Sequence, residues 1–182
     1  EGGGTGWNLY GGATVADGYG DDGSKGARAT VGQAVDQYLV CSPNTWYRFS
    51  WRARRNCSVA PSAYIAWFKS DGTVIGATTY LSLPTVLDPN PPNNPIFAAY
   101  SIVAQSPAGA TRAQVVGAFL MGGGTGYCDV DSATWDGLPN PGSGQAYDGS
   151  GNLISTAGAT LKNGDFSIAD SAGGPKDWFY GG

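Results

Sequence analysis

The residues that carry out most enzymatic chemistry are scarce in this sequence. None of its 182 residues is a histidine, which removes the commonest general base together with every Ser-His-Asp or Cys-His arrangement. The 14 Asp and Glu residues could still supply the paired carboxylates of a glycosidase. Most of them stand in Gly-rich turns such as Asp71-Gly72 and Asp148-Gly149, where turn chemistry accounts for them. We therefore expect a non-catalytic protein.

Cysteine content and charge exclude several further classes of protein. The three cysteines, Cys41, Cys57 and Cys128, are too few for a disulfide scaffold and wrongly spaced for a zinc site. They leave three alternatives: one intramolecular bridge, three small buried residues, or a spare thiol that cross-links neighbours. A net charge of −4 gives no basic surface for nucleic acid, and no apolar stretch approaches the roughly 18 residues needed to cross a bilayer. We expect neither a nucleic-acid partner nor a membrane span.

The positions of the apolar residues predict the elements of the fold. Charged residues make up only 13% of the chain, and its 30 glycines help to separate short runs of β-branched and aromatic residues. Several short strands at this spacing predict an all-β protein built as an antiparallel β-sandwich. The predicted strands are 37–40, 46–53, 63–68, 73–78, 99–104 and 112–120.

Two of these strands show which side chains should be buried. In strand 46–53 the predicted core face holds Tyr47, Phe49, Trp51 and Ala53, and the predicted exposed face holds Trp46, Arg48, Ser50 and Arg52. In strand 63–68 both faces carry aromatic residues, so one of them is available for more than contact with water. The turn Ser70-Asp-Gly-Thr73 follows directly and predicts a hairpin.

Changes in composition divide the chain into three parts. Residues 1–135 form the predicted sandwich body, which includes a proline-rich segment, 83–95, predicted to be a long exposed loop. Residues 136–160 are rich in Gly, Pro and Ser and are predicted to be an extended connection with one weak hairpin at 147–153. Residues 161–182 form a tail.

Four segments of the body resemble a known family. They are, in order, Tyr47-Arg-Phe-Ser-Trp51, Ile65-Ala-Trp-Phe-Lys-Ser-Asp-Gly72, Ser106-Pro-Ala-Gly-Ala-Thr-Arg-Ala-Gln-Val115 and Tyr127-Cys-Asp-Val130. Together they cover roughly residues 7 to 135 and are similar to the jelly-roll carbohydrate-binding modules of families 4, 9, 16 and 22, galactose-binding-like sandwiches found in tandem extracellular and phage tail or fibre proteins. The resemblance implies a jelly roll located outside the cell, on the cell surface or on a virion.

The tail carries a motif that this family places in its first strand. Asn163-Gly-Asp-Phe166 stands near the C-terminus, so we predict that the first strand of the jelly roll is displaced to the C-terminal end. The two ends of the chain also resemble each other, since Gly6-Trp-Asn-Leu-Tyr-Gly-Gly12 compares with Asp177-Trp-Phe-Tyr-Gly-Gly182. A sandwich that lacks a strand exposes core and unpaired backbone, which an added strand relieves.

Three arrangements of this tail are open. The tail could fold back on its own body, enter the next copy head-to-tail, or begin the following module of a tandem repeat. We rank the last two together above the first, because a body that already holds Trp7 has no need of Trp178. The residues predicted to make the assembly contact are Asn163, Asp165, Phe166, Trp178 and Tyr180.

The resemblance also implies candidate binding residues. Members of the family bind sugars through aromatic platforms flanked by polar side chains on an outward face. The residues of this chain that match such a face are Trp46, Arg48, Arg52, Tyr64 and Gln114, with Phe68 next. The alternative for Trp46 and Tyr64 is packing under the proline-rich loop or against a neighbour.

The family often holds a structural Ca²⁺ between its first and last strands, and the resemblance implies Asp129 and Asp22 as candidate ligands. The sequence departs from the pattern at Ser167, where the family has an acid. The function predicted is a non-catalytic extracellular module of a fibre or filament, joined head-to-tail to other copies of itself and with glycans as further partners. The alternative is a monomeric carbohydrate-binding or phage host-recognition module with its C-terminal strand folded back.

Overall fold

The computed structural model describes residues 6–84, 96–143 and 145–155. Every regular element in these ranges is a β-strand, and no helix there is long and apolar enough to cross a membrane. The strands are β1 (Asn8–Tyr10), β2 (Thr14–Asp17), β3 (Lys25–Thr30), β4 (Ala34–Val40), β5 (Trp46–Cys57), β6 (Ser62–Phe68), β7 (Val74–Ser82), β8 (Ala98–Gln105), β9 (Arg112–Phe119), β10 (Gly126–Leu138), β11 (Gln145–Tyr147) and β12 (Leu153–Ser155).

The chain divides into two compact units. The first consists of Glu1–Asn140 with Tyr147–Asn152, and the second of Pro141–Ala146 with Leu153–Gly182. The first unit contains two five-stranded sheets, and β11 with β12 forms a separate two-stranded sheet. The turn between β11 and β12 is closed by the hydrogen bond from Asp148 N to Asn152 O, 3.0 Å, so the weak hairpin predicted at 147–153 is confirmed.

The two large sheets are antiparallel and confirm the predicted sandwich. The first sheet has the strand order β1-β4-β9-β6-β7, and the second has the order β2-β3-β10-β5-β8. All six predicted strands are present, most of them a few residues longer than predicted. Sequence alternation missed β1, β2, β3 and β10. The first three are short or are built largely from Gly, Ala and polar residues, and β10 mixes Gly, Ser, Thr and Asp with its apolar residues.

The core lies between the two sheets and confirms the predicted alternation in β5. Tyr47, Phe49, Trp51 and Ala53 are all buried. They pack with residues of the first sheet such as Trp67. The predicted hairpin between β6 and β7 is also present, closed by Lys69 N donating to Thr73 O at 2.9 Å. The inward side chains of the two sheets fill the core. Candidate binding residues are therefore sought among the outward side chains.

Two predictions are corrected or fall outside the described ranges. Leu83, the first residue of the predicted exposed loop, is fully buried in the core, and its N–H donates to Pro61 O at 2.8 Å. The burial of this apolar side chain outweighs the turn-forming tendency of the prolines that follow it. Residues 85–95 lie outside the described ranges, as does the displaced first strand in the tail.

Candidate functional site

Strand alternation places a set of polar and aromatic side chains on the outer face of the first sheet. Val35, Val115 and Ile65 point into the core from β4, β9 and β6. Because successive side chains point to opposite faces of a sheet, Asp36, Gln114 and Tyr64 stand on the other side. The same alternation brings Tyr38, Phe68 and Tyr80 to this outer face.

The centre of this face is a hydrogen-bonded carboxylate. Asp36 is only 5% exposed, although it points away from the core. Asn8 Nδ2 donates to Asp36 Oδ2 at 3.2 Å, and Gln114 Nε2 donates to the same oxygen at 2.9 Å. Both of these bonds end on Oδ2, so within the described residues Oδ1 is left to accept a hydrogen bond from a bound hydroxyl.

Aromatic pairs stand on either side of this carboxylate. The rings of Tyr64 and Tyr80 have their centroids 5.4 Å apart, and those of Tyr38 and Phe68 are 5.5 Å apart. The guanidinium of Arg112 lies 4.8 Å from the centroid of the Tyr38 ring. Tyr64 and Phe68 are four residues apart on one strand, which separates the two pairs by about 13 Å. We call the surface formed by Asp36, Tyr38, Tyr64, Phe68, Tyr80 and Gln114 the aromatic-polar face.

The floor between the two aromatic pairs is low. Ala66 lies between Tyr64 and Phe68 on β6 and pairs with Gln114 on β9, which pairs in turn with Tyr38 on β4. The small Ala66 side chain leaves the Gln114 amide accessible between the larger rings. We call the space between the two aromatic pairs the trough; its walls are aromatic, and its floor consists of Ala66, Val116 and the Gln114 amide.

Burial and the nearby carboxylate keep the hydroxyl of Tyr64 protonated. Burial raises the pKa of Tyr64 above its usual value, and the nearby Asp36 carboxylate raises it further. Tyr64 therefore remains a neutral phenol at physiological pH and can both donate and accept a hydrogen bond. With an aromatic surface, a carboxylate and an amide, the trough can stack against a flat apolar surface and hydrogen-bond to hydroxyls at its edge.

The five predicted glycan-binding residues do not share one surface. Tyr64 and Gln114 lie on the outer face of the first sheet, whereas Trp46, Arg48 and Arg52 lie on β5 in the second sheet. Sequence alternation assigns a side chain to the inside or the outside of a sandwich. It does not say which of the two sheets carries the strand, and this is why the predicted set was divided.

The three predicted residues on β5 are engaged by their own neighbours. The Trp46 ring packs against Tyr147, with centroids 5.6 Å apart, a contact within the chain that neither packing alternative for this residue named. Arg48 forms an ion pair with Asp136 at 3.1 Å. Arg52 forms an ion pair with Asp21 and donates to Phe97 O at 3.2 Å. These contacts leave the second sheet a smaller open surface.

A cavity of 410 Å³ remains on that surface, between the two covered ends. Ser101 Oγ donates to Gly149 O at 2.7 Å, which holds the 147–152 turn against β8 on one side of it. The cavity is lined mainly by small or charged polar side chains, including Ser50, Arg52 and Ser101. Tyr100 is the aromatic residue at its edge besides the buried Trp51, so this cavity lacks the paired rings of the first sheet.

The other end of the second sheet is closed by a buried carboxylate between two arginines. Asp129 on β10 is fully buried and lies in register with Arg28 on β3 and Arg54 on β5. Arg28 donates from Nε to Oδ1 at 2.6 Å and from Nη2 to Oδ2 at 2.8 Å. Arg54 donates from Nε and Nη2 to Oδ2 at 2.9 and 2.6 Å. We call this row the arginine clasp.

Aromatic rings cover the arginine clasp. The Arg28 guanidinium lies between Tyr19 and Tyr127, 3.9 and 3.7 Å from their ring centroids. The hydrogen bonds to Asp129 raise the pKa of Arg28 above its usual value. Arg54 also donates to Gly18 O at 2.9 Å, which ties the 18–24 turn over the clasp. Both oxygens of Asp129 are thus taken by charged donors.

The residues named for calcium do not fit a cation in this arrangement. Two guanidinium groups already neutralise Asp129, and an added cation would face them at short range. Asp22 accepts from Ser24 N at 2.9 Å, and hydrogen bonds from Ser24 lower the pKa of Asp22. Among the described residues no group of three or more Asp, Glu, His or Cys side chains could hold a metal ion. The calcium site stays a prediction that the described donors do not favour.

The remaining predicted residues have mixed outcomes. The assembly residues Asn163, Asp165, Phe166, Trp178 and Tyr180 lie outside the described ranges. Cys41 and Cys128 are free thiols, so an intramolecular bridge does not form, and all three cysteines are buried. Burial raises the pKa of the Cys128 thiol far above its usual value, which makes it unreactive.

Sequence reasoning missed four members of the site. These residues, which belong to the aromatic-polar face or bond to its centre, are Asn8, Asp36, Tyr38 and Tyr80. The available signal is in β4, where Asp36 and Tyr38 alternate with the core-facing Val35 and Leu39. A charged residue inside a strand of this kind indicates a hydrogen-bonded site.

No protein-family model matches the sequence, and neither does any curated protein. Solved structures do match. The enzymatically active domain of tailspike protein 4 from bacteriophage CBA120 matches with a TM-score of 0.57 at 14% identity, over 74% of this chain and 20% of that chain. This chain thus spans a fifth of the tailspike chain.

Two carbohydrate-binding modules match over most of their own length. The family 16 carbohydrate-binding module 2 has a TM-score of 0.52 at 14% identity, covering 71% of this chain and 89% of that chain. The xylan-binding CBM22-1 domain of Paenibacillus barcinonensis Xyn10C has a TM-score of 0.50 at 14% identity, covering 77% and 90%. The chain has the jelly-roll fold of carbohydrate-binding modules. The resemblance expected from the four sequence segments is confirmed at the level of the fold, which is as far as these identities reach.

The arginine clasp yields a stability prediction. In the Asp129→Asn variant the nearly buried Arg54 loses its charged partner, so the free energy of unfolding should fall by about 3–5 kcal/mol. The matched control is Asp136→Asn, which breaks the half-exposed pair with Arg48 and should cost less than about 1 kcal/mol. Urea unfolding followed by tryptophan fluorescence measures both. Equal, small losses in the two variants would contradict the structural role given to Asp129.

Proposed function

We propose that this chain is a non-catalytic, extracellular glycan-binding module of a fibre or filament, and that glycans bind to the aromatic-polar face of the first sheet. The observation that carries this proposal is the arrangement of two aromatic pairs on either side of the hydrogen-bonded Asp36 and Gln114. An exposed cluster of rings of this kind on a single domain is typical of a binding surface.

The chemistry of the trough suits a sugar ring. A pyranose presents an apolar face of C–H groups and a rim of hydroxyls. Tyr80, which is 68% exposed, and Tyr38, which is 40% exposed, offer ring surface for the C–H groups. Asp36 Oδ1, the Gln114 amide and the Tyr64 hydroxyl offer acceptors and donors for the hydroxyls. The separation of the two aromatic pairs favours a chain of several sugar units over a single one.

The comparisons support this proposal at the level of fold. The Paenibacillus domain is a xylan-binding domain, and the family 16 module is a carbohydrate-binding module. The tailspike match favours a role on a virion or another extracellular surface, where the alternative of phage host recognition also belongs. These neighbours do not identify the glycan.

Glycan binding is tested on an array of plant, bacterial and animal glycans with the whole chain. We expect Tyr64→Ala and Tyr80→Ala to lower the affinity for bound glycans by about tenfold or more, because each removes a ring from the trough. Trp46→Ala and Arg52→Ala remove side chains from the second sheet and should leave the affinity within about twofold. If Trp46→Ala and Arg52→Ala lose binding while Tyr64→Ala and Tyr80→Ala keep it, the site lies on the second sheet and not on the first. If the parent chain binds no glycan, the proposed glycan-binding function is contradicted.

The second part of the proposal concerns assembly. We propose that copies of the chain join head-to-tail through residues 163–182, as the similarity between the two ends of the sequence suggests. Head-to-tail joining is favoured by the C-terminal part of β10, from Asp131 to Leu138, where no described strand pairs with one of its two edges. The alternative is a monomeric module whose C-terminal strand folds back on its own body.

Light scattering on the full chain over a dilution series tests assembly. A head-to-tail contact that does not close should give a ladder of species whose mean mass rises with concentration. Deletion of 161–182 should leave an unstable monomer, because the body then lacks any strand to complete it. A concentration-independent monomer of the full chain, or a well-folded monomer after the deletion, would contradict head-to-tail joining.

A further inference from the structure

The second sheet contains a strand that is paired on one side for only part of its length. β10 pairs with β5 from Gly126 to Leu138, interrupted by a bulge between Asp131 and Thr134. On its other side it pairs with β3 only from Tyr127 to Val130. From Asp131 to Leu138, therefore, no described strand uses the second edge of β10. The backbone groups along such an edge are ready to pair with an added strand.

A cavity of 760 Å³ opens beside this free edge. Its apolar lining consists of side chains from both sheets, Trp7, Val15, Ala27, Val35, Val130 and Ala133. Val35 and Val130 are also core residues, with 0% and 4% of their surface exposed. The cavity therefore reaches the margin of the hydrophobic core, and polar residues such as Asp17, Lys25 and Asp131 line the rest of it.

The bulge in β10 shapes the cavity. Ser132 has a φ of 51°, in the left-handed region, and the register with β5 shifts between Asp131 and Thr134. The bend separates β10 from β3, so that Ser132 and Ala133 line the cavity. Asp131 Oδ2 accepts from Asp21 N at 2.9 Å, which fixes the start of the bend. Beyond Val130, where the pairing with β3 ends, this edge of β10 has no described partner.

We infer that this groove receives residues 163–168 of a second copy of the chain as an added β-strand, with the Phe166 side chain in the cavity. The inference rests on the head-to-tail part of the proposed function and is independent of the glycan site. In the head-to-tail contact, the backbone of the added segment would pair with the free edge of β10, and its apolar side chains would enter the cavity.

The sequence of the segment fits such a groove. In Asp165-Phe-Ser-Ile168, Phe166 and Ile168 alternate with Asp165 and Ser167, the pattern of a strand with one buried face. Two large apolar side chains would fill space that the small Ala27 and Ala133 side chains leave open.

The added strand would also account for growth of a fibre. Each copy has one groove and one segment, and the two lie on different parts of the chain. A contact between different surfaces of identical subunits leaves a free groove at one end and a free segment at the other. Burial of one phenylalanine ring and one isoleucine side chain would stabilise each junction in addition to the backbone hydrogen bonds.

Photo-cross-linking in the full chain tests the inference. Phe166 is replaced by p-benzoylphenylalanine, which keeps an aromatic side chain at that position and reacts with whatever C–H groups it contacts. Chains labelled with ¹⁵N carry native Phe166, unlabelled chains carry the probe, and mass spectrometry identifies the joined peptides. We expect products that join an unlabelled probe to a labelled peptide containing Gly26–Ala27 or Val130–Thr134.

Each other outcome overturns a defined part of the inference. Products joining only unlabelled to unlabelled peptides of the same chain, at these positions, would show that the tail folds back and would exclude the second copy. Products elsewhere, or none, would exclude the groove. Because the glycan array reports on the opposite sheet, a failure of glycan binding with cross-links in the groove would overturn the first part of the proposed function only.

A cavity-filling variant gives an independent measurement. Ala133→Trp would occupy the space proposed for Phe166, so the concentration at which the chain assembles should rise by about tenfold or more, with glycan binding unchanged. Ala77→Trp, at an exposed position on β7, is the matched control and should assemble like the parent. If Ala133→Trp is folded by circular dichroism and assembles like the control, the groove is not the acceptor.

Discussion

The arginine clasp is the interaction on which the arrangement of the second sheet depends. A single buried carboxylate, Asp129, satisfies two guanidinium groups from the strands on either side of it, and the three residues lie in one row across β3, β10 and β5. A slip of one residue in either pairing would move a charge into the core, a cost far greater than that of any neighbouring contact. The clasp therefore fixes the register of three strands and, two residues later, the point at which β10 bends away from β3.

The two sheets also differ in how far their outer faces are covered. The outer face of the second sheet is covered at one end by the 18–24 turn, which Arg54 holds over the clasp, and at the other by the 147–152 turn against Trp46. The outer face of the first sheet has no comparable cover among the described residues, and its rings surround a carboxylate that is already oriented by Asn8 and Gln114. The proposed glycan-binding face and the proposed assembly groove thus lie on opposite sheets.

Sequence patterns predicted much of the fold and about half of the site. Alternation identified the core face of β5, because Tyr47, Phe49, Trp51 and Ala53 are large or apolar and regularly spaced. It could not identify β3, whose inward residues are the small Ala27 and Ala29. Nor could it identify the partner of each strand, which depends on contacts distant in sequence. For the same reason Trp46 and Tyr64 were grouped together although they lie on different sheets. Asp129 was predicted as a metal ligand from a family pattern, and only the pairing of β10 with both neighbours reveals that arginines take that place.

The most direct test of the account is an NMR titration of the ¹⁵N-labelled chain with a glycan identified on the array. If glycans bind the aromatic-polar face, chemical-shift changes will concentrate at the amides of β4, β6, β7 and β9 around Asp36, Tyr64, Tyr80 and Gln114, together with the Gln114 side-chain amide. Changes centred instead on Ser50, Arg52 and Ser101 in the second sheet would contradict the account.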